Sequence, residues 1–334
     1  MSDSIKHECG VAMLRLLKPL AYYQDKYGSS LYGLNKMYLL MEKQHNRGQD
    51  GVGLANIKLN VDPGKRYISR KRSVVTNPIQ DVFKQVNKRF VELEENDPEK
   101  LKDPQWMKEN MPFTGELFLG HLRYGTFGGN TIEQCHPFLR QSNWKTRNLV
   151  LAGNFNMTNV DELFDQLVDL GQHPKKKSDT VTILEKIGHF LDEANDDIYY
   201  KHKDKFSKKE ITQVIEDELD VQDILTQSAK YWDGGYVMCG LMGHGDAFAL
   251  RDPNAIRPAY YYKDDEVVVV ASERSVIQTS FDVNIEDVKE IKAGHALIIK
   301  KDGRVEEKQV REPLERKSCS FERIYFSRGN DAGI

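Results

Sequence analysis

No two of the four cysteines lie close together: Cys9, Cys135, Cys239 and Cys319 are scattered along the chain, and there is no CxxC pair. That excludes a local zinc knuckle and gives no sign of a disulfide framework, so a reducing compartment, the cytoplasm, is the expected location. No apolar stretch approaches the roughly 18–20 residues that a membrane span needs. The first ten residues carry Asp3 and Glu8 without an apolar segment, which is not a signal peptide. Nor is charge of one sign in excess. With 48 basic against 51 acidic residues the net charge is −3, which gives no footprint for nucleic acid or an anionic membrane surface. No repeat or low-complexity segment stands out. What is present is 39% apolar and 30% charged residues over 334 positions, enough for one large globular domain or two modest ones.

Short strand-like runs occupy both ends of the chain. Val11–Leu17, Phe118–Leu122 and Leu149–Ala152 precede the midpoint; Val237–Met242, Ala247–Leu250, Val267–Ala271 and Ala296–Lys300 follow it. Helical patterns fall at Tyr32–Gln44, Asn159–Leu170 and Thr180–Glu193. This arrangement predicts antiparallel sheets covered by helices, an α+β fold, rather than a doubly wound parallel sheet. Three charged stretches interrupt it, and each is expected to be solvated surface: residues 86–111, His173–Asp179, and a basic run within 196–220. The last becomes an amphipathic helix with Ile211, Val214, Ile215 and Leu219 on one face.

Cys9, followed by Gly10 and an apolar strand, is either a small buried hydrophobe or a nucleophile. Removal of the leader Met1–Glu8 would give a terminal cysteine whose thiol attacks while its own α-amine, with a reference pKa of about 7.7–8.0, takes the proton. Four polar turns accompany it: His45-Asn46-Arg47-Gly48-Gln49-Asp50; Gly120-His121-Leu122-Arg123-Tyr124-Gly125-Thr126; Leu151-Ala152-Gly153-Asn154-Phe155-Asn156-Met157-Thr158-Asn159, read as a strand that stops in an Asn-rich turn; and Arg251-Asp252-Pro253-Asn254-Ala255-Ile256-Arg257-Pro258. Each alone is a commonplace turn.

In order and spacing these segments resemble the class II glutamine amidotransferases, and among them the glutamine phosphoribosylpyrophosphate amidotransferases. The family's RGQD, GHxRYxT, LAHNGNxTN and RDPNxIRP patterns have counterparts here. So do its ASE and CxxExxYFxR stretches, at Ala271-Ser272-Glu273 and Cys319–Arg328. The resemblance implies a four-layer αββα sandwich of the N-terminal-nucleophile hydrolases, with Cys9 at the mouth of a glutamine pocket. It makes 1–8 a propeptide, 9–310 the glutamine amidotransferase domain with insertions near 86–111 and 196–220, and 311–334 the start of a linker to a phosphoribosyltransferase domain.

Glutamine is a zwitterion, so its pocket needs a cation for the carboxylate and an acid for the ammonium. Arg123 matches the family's carboxylate-binding arginine, and a guanidinium fork suits that group. Tyr124 follows it in the same motif. Asp179 matches the ammonium-binding acid, although Asp179 is also a good helix N-cap and Ser178 an even better one. Arg47 matches the family's active-site arginine close to the nucleophile and is, with Tyr124, expected among the substrate-binding residues; alternatively it is an ordinary surface ion pair. The family's oxyanion donors are an Asn side-chain amide, here Asn154, and the backbone N–H of the next residue, here Phe155 where the family has Gly. Gly153 replaces the family's His, and Asn46 is inserted before Arg47.

A phosphoribosyltransferase needs an apolar strand, two acids and a Gly/Thr-rich turn to cradle pyrophosphate. No such segment is present, so the chain is expected to be the glutaminase half of such an enzyme. Magnesium with phosphoribosylpyrophosphate is then expected only in the other domain. One thiolate, Cys319, does not support an iron–sulfur cluster. The expected partners are L-glutamine, the C-terminal phosphoribosyltransferase domain and further copies in a homo-oligomer, with neither nucleic acid nor membrane. Two other readings stay open: a catalytically impaired glutamine-binding regulatory module, and a class II glutaminase feeding a different acceptor.

Overall fold

The computed structural model describes residues 9–125 and 131–326; the leader Met1–Glu8, the loop residues after Gly125 and the end of the CxxExxYFxR stretch lie outside the described residues. Thirteen strands run through those residues: β1 (Gly10–Leu16), β2 (Gly51–Ile57), β3 (Ile68–Ser73), β4 (Leu117–Arg123), β5 (Phe138–Arg140), β6 (Leu149–Met157), β7 (Gly234–Met242), β8 (Ala247–Arg251), β9 (Tyr260–Lys263), β10 (Val267–Ala271), β11 (Lys289–Glu290), β12 (His295–Ile299) and β13 (Val305–Gln309). The helices are α1 (Leu20–Tyr27), α2 (Tyr32–Lys43), α3 (Pro78–Asn96), α4 (Pro98–Leu101), α5 (Pro104–Asn110), α6 (Val160–Asp169), α7 (Asp179–His202), α8 (Lys208–Glu218), α9 (Val221–Ala229) and α10 (Arg274–Phe281).

The strands form two antiparallel sheets, ordered β11-β9-β10-β1-β4-β2-β3 and β13-β12-β8-β7-β6-β5. Because side chains alternate across a strand, β1 serves two cores at once. Ala12, Leu14 and Leu16 meet Met37, Leu40, Met41 and Phe83 under the first helical layer. Val11 and Met13 meet Val150, Ala152, Val237 and Ala249 between the sheets. A third core joins Leu151, Met238 and Phe248 of the second sheet to Ile183, Ile187 and Leu191 of α7 and to Ile211 and Ile215 of α8. The result is four layers, αββα. No helix among the described residues is long and apolar enough to cross a membrane.

Two expectations need correction. Residues 86–111 are not merely solvated surface. In α3 the apolar positions Ile79, Val82, Phe83, Val86 and Phe90 recur at helical spacing and are buried with Met107 of α5 against the first sheet. And β6 does not stop at an Asn-rich turn: it stays paired with β7 through Asn154↔Val237, Phe155↔Tyr236 and Met157↔Gly234. The stretch within 196–220 forms the amphipathic helix read from its pattern, but Ile211, Ile215 and Leu219 are buried in the core and Val214 is half-buried, so it too is more than solvated surface.

Candidate active site around Cys9

Cys9 stands at the head of β1, and the pairing Gly10↔Leu122 sets it beside Arg123 at the end of β4. The strand start is pinned from two sides. Val11 N–H donates to Ser272 Oγ (3.0 Å), Ser272 N–H returns a bond to Val11 O (3.2 Å), and Gln44 Nε2 donates to the same carbonyl (3.3 Å). The thiol is half-buried, and burial pushes its pKa up to about 11. The Tyr124 N–H bonded to it and the Arg123 charge act downward, while Asp179 and Cys135 act upward. The two residue types that a zwitterion requires therefore both act on the same sulfur.

Arg123 is buried, with Nη2 donating to Gln134 Oε1 at 2.9 Å. Asp179 is the first residue of α7. The capping is done by Ser178, whose Oγ accepts from Val181 N–H at 3.4 Å. Asp179 Oδ1 instead accepts from Thr180 N–H (2.6 Å) and Thr180 Oγ1 (3.2 Å). Burial raises its pKa, against these bonds and the pull of Arg123.

Arg47 is no surface ion pair. The insertion of Asn46 is taken up in a 3₁₀ turn, His45–Arg47, which buries the guanidinium at 2% exposure. Its Nε donates to Glu273 Oε1 (2.7 Å), and Nη1 and Nη2 grip Glu322 at 3.0 and 2.7 Å. The Phe326 ring lies 4.7 Å away. Burial disfavours the cation, but the two glutamates outweigh it and hold its pKa above the ordinary value. Built on Gly10, a Cβ would sit 3.3 Å from Arg47 Cβ, so this buried cluster backs directly onto the residue after Cys9. Glu273 and Glu322 belong to quoted motifs, yet sequence reasoning assigned neither a role.

On β6, Gly153 is held by two imidazoles. Its N–H donates to His136 Nδ1 (3.3 Å), and its carbonyl bonds His121 Nε2 (3.1 Å). Neither histidine was singled out from sequence. Gly153 and Phe155 share a face: a Cβ on Gly153 would lie 2.6 Å from Phe155 Cδ1 and 2.6 Å from Val237 O. The ring of Phe155 thus covers the place that a side chain at 153 would take. In an antiparallel ladder alternate residues turn both backbone groups to the same side. Gly153 turns its groups away from β7, so Phe155 presents its N–H on that side too, while Asn154 between them is buried.

The Arg251–Pro258 turn is scaffold. Asp252 accepts from the N–H groups of Asn254 (3.0 Å), Ile256 (2.9 Å) and Arg257 (3.1 Å), and Arg251 reaches Arg257 O and Ile291 O. The stretch after β13 runs back over this turn, with Leu314 N–H on Pro253 O and Lys317 N–H on Asn254 O (both 2.8 Å), before Glu322 reaches Arg47. Cys135 and Cys239 are buried, Cys319 half-buried. Among the described residues no group of three or more His, Cys, Asp and Glu could hold a metal ion.

No protein-family model matches the chain. It is 28% identical over 291 residues to the amidophosphoribosyltransferase of Pasteurella multocida, a match covering 85% of this chain and 47% of that protein. It is 27% identical over 301 residues to that of Haemophilus influenzae, covering 87% and 48%. Among solved structures it resembles the glutamine phosphoribosylpyrophosphate amidotransferase of B. subtilis, at a TM-score of 0.58 and 24% identity over 96% of this chain and 53% of that one. The allosteric regulatory enzyme of purine biosynthesis gives 0.61 and 23% over the same shares. The chain thus spans about half the length of the curated relatives it matches. In sequence it is thus similar to the amidophosphoribosyltransferases over most of its length, and in fold it shares the layered α+β architecture of the two solved enzymes.

Proposed function

We propose that this chain is the glutaminase part of an amidophosphoribosyltransferase-like enzyme, releasing ammonia from the glutamine side chain for phosphoribosylamine formation in purine synthesis. The observation that carries the reading is the strand pairing that sets Arg123 beside Cys9, with the acid Asp179 at the start of α7 close enough for its charge, like that of Arg123, to act on the Cys9 sulfur. Arg123 takes the α-carboxylate and Asp179 the α-ammonium, with Tyr124 supplying its N–H at the sulfur.

Cys9 Sγ adds to the side-chain carbonyl carbon of glutamine. The oxyanion that forms is met by the Asn154 amide and the Phe155 N–H, donors that typically contribute about 2.7–4 kcal/mol each. The C–N bond breaks, ammonia leaves with the proton taken from the thiol, and a thioester remains. Water then releases glutamate and restores the thiol. The base is the α-amine that cleavage after Glu8 would expose, needed because burial holds the thiol protonated at neutral pH. Arg47, expected from the resemblance among the substrate-binding residues, is bonded to Glu273 and Glu322 and serves the site as a support packed close to Gly10. The phosphoribosyltransferase domain, the homo-oligomer and the cytoplasmic setting belong to the same proposal, with 9–310 as the glutaminase unit and 311–334 leading onward.

Intact mass before and after 6-diazo-5-oxo-norleucine tests it. Loss of eight residues and one adduct on Cys9, with glutamate and ammonia produced in equal amounts from glutamine, is the expected result. A processed chain that binds glutamine without turnover would favour the impaired regulatory reading instead.

A further inference from the structure

The buried imidazole of His136 has two polar atoms, and the hydrogen bonds leave each a single role. A backbone N–H can only donate, so Nδ1, which faces Gly153 N–H at 3.3 Å, is the acceptor. The proton is then on Nε2, which donates to Thr180 Oγ1 at 3.0 Å. Thr180 passes its own hydroxyl proton to Asp179 Oδ1 at 3.2 Å. One directed chain therefore runs Gly153 N–H, His136, Thr180, Asp179. It joins the strand that carries Asn154 and Phe155 to the acid that opens α7.

The surroundings are shaped to keep the ring there. His121 stacks on it with centroids 4.2 Å apart and planes 25° from parallel, and its own Nε2–H holds Gly153 O. Phe138 meets it edge-on at 5.1 Å, and Phe155 lies 5.7 Å away. A side chain on Gly53, which pairs with His121 across β2 and β4, would overlap the His136 carbonyl. Burial keeps both imidazoles neutral at physiological pH, as donor–acceptor bridges rather than cations.

We propose that His136 is a positioning residue of this site, setting from the approach to β5 the oxyanion strand and Asp179 in register with each other. It does not touch substrate. The inference rests on the glutaminase reading, and it divides into two halves that isosteric substitutions separate. In His136→Asn the side-chain oxygen replaces Nδ1 and keeps Gly153, but the link to Thr180 is cut. In His136→Gln the amide nitrogen replaces Nε2 and keeps Thr180, but Gly153 is released.

Glutamine binding is measured by calorimetry in a Cys9→Ala parent, and turnover in the active chain. His136→Asn is expected to weaken glutamine binding about two- to tenfold, the worth of one neutral hydrogen bond, and to raise KM with kcat held. His136→Gln is expected to spare binding and lower kcat. Thr180→Val should reproduce the first phenotype and Thr180→Ser should rescue it. Equal effects of both His136 variants on KM and kcat, or no effect of either, would reduce His136 to packing and overturn the proposal. A Cys9→Ala parent that binds no glutamine would instead sink the glutaminase reading. The ¹⁵N imidazole spectrum judges the network without substrate: a neutral Nε2–H tautomer for His136 from pH 5 to 8, displaced by Thr180→Val, is expected. An Nδ1–H tautomer or a protonated ring would overturn it.

Discussion

Arg47 and Arg123 both stand within a residue or two of Cys9, and they are held in opposite ways. Arg47 is enclosed by two carboxylates and an aromatic ring contributed by residues more than two hundred positions away. Arg123 hands its described hydrogen bond to the neutral amide of Gln134, eleven residues on, and its charge is felt by Cys9 and Asp179. A cation already matched by two acids serves as a strut. A cation at the end of β4, beside the head of β1 and within electrostatic reach of both Cys9 and Asp179, is placed for the recognition proposed above. The same residue type, buried in both places, is thus sorted into structure or recognition by where it stands: Arg47 behind the residue after Cys9, Arg123 beside Cys9 itself.

The largest effect should come from breaking the strut. Arg47→Ala takes from Glu273 and Glu322 the guanidinium that bonds them both, and removing one partner of a buried charge cluster costs about 3–5 kcal/mol. Urea unfolding should show that loss, and limited proteolysis should show the 319–326 stretch released from the site. Combining Arg47→Met with Glu273→Gln and Glu322→Gln should recover much of it, because the penalty is the orphaned charge rather than the missing attraction. Should Arg123→Ala destabilise the fold as strongly, the distinction between the two arginines is wrong.

The second effect is on glutamine. Arg123→Ala should unfold near the parent's midpoint but raise KM for glutamine about 10–100-fold, the range for a charge-assisted hydrogen bond. Arg123→Lys should recover only part of it, since an ammonium cannot reproduce the guanidinium fork. A stability loss without a KM change would place Arg123 among the struts.

The division between these residues was only half readable beforehand. Strands buried on both faces, such as β1, β4, β7, β8, β10 and β12, show themselves as apolar runs and were located to within one to three residues. Short or half-exposed strands, β3, β5, β9 and β13, have no such pattern. Asn154 and Asn156 suggest a turn by local propensity, yet the ladder to β7 overrides it. Cys9 stood out from its own segment, and the resemblance to the class II glutamine amidotransferases brought out Arg47, Arg123 and Asp179 as residue types. It could not say that Arg47 would meet Glu322 across 275 positions, or that His136 would bridge Gly153 and Thr180, 17 and 44 residues away. Those pairings are products of tertiary closure, and a histidine before Pro137 carries no local mark of them.

The smallest effect is the most selective. Before any cleavage, a Cys9 thiol with its pKa near 11 should be alkylated by iodoacetamide about tenfold faster for each pH unit between 7 and 10, as the thiolate fraction grows. An opposite charge nearby favours the thiolate and a like charge disfavours it. Arg123→Gln should therefore move the alkylation profile to higher pH, and Asp179→Asn should move it to lower pH, each by a fraction of a unit. Arg47→Lys keeps its cation against two glutamates and should leave the profile in place. Opposite displacements for Arg123 and Asp179, with none for Arg47, would show that the sulfur senses the pair left to meet a zwitterion and is blind to the cluster that supports it. Parallel displacements in all three would mean that Cys9 reports only a loosened fold.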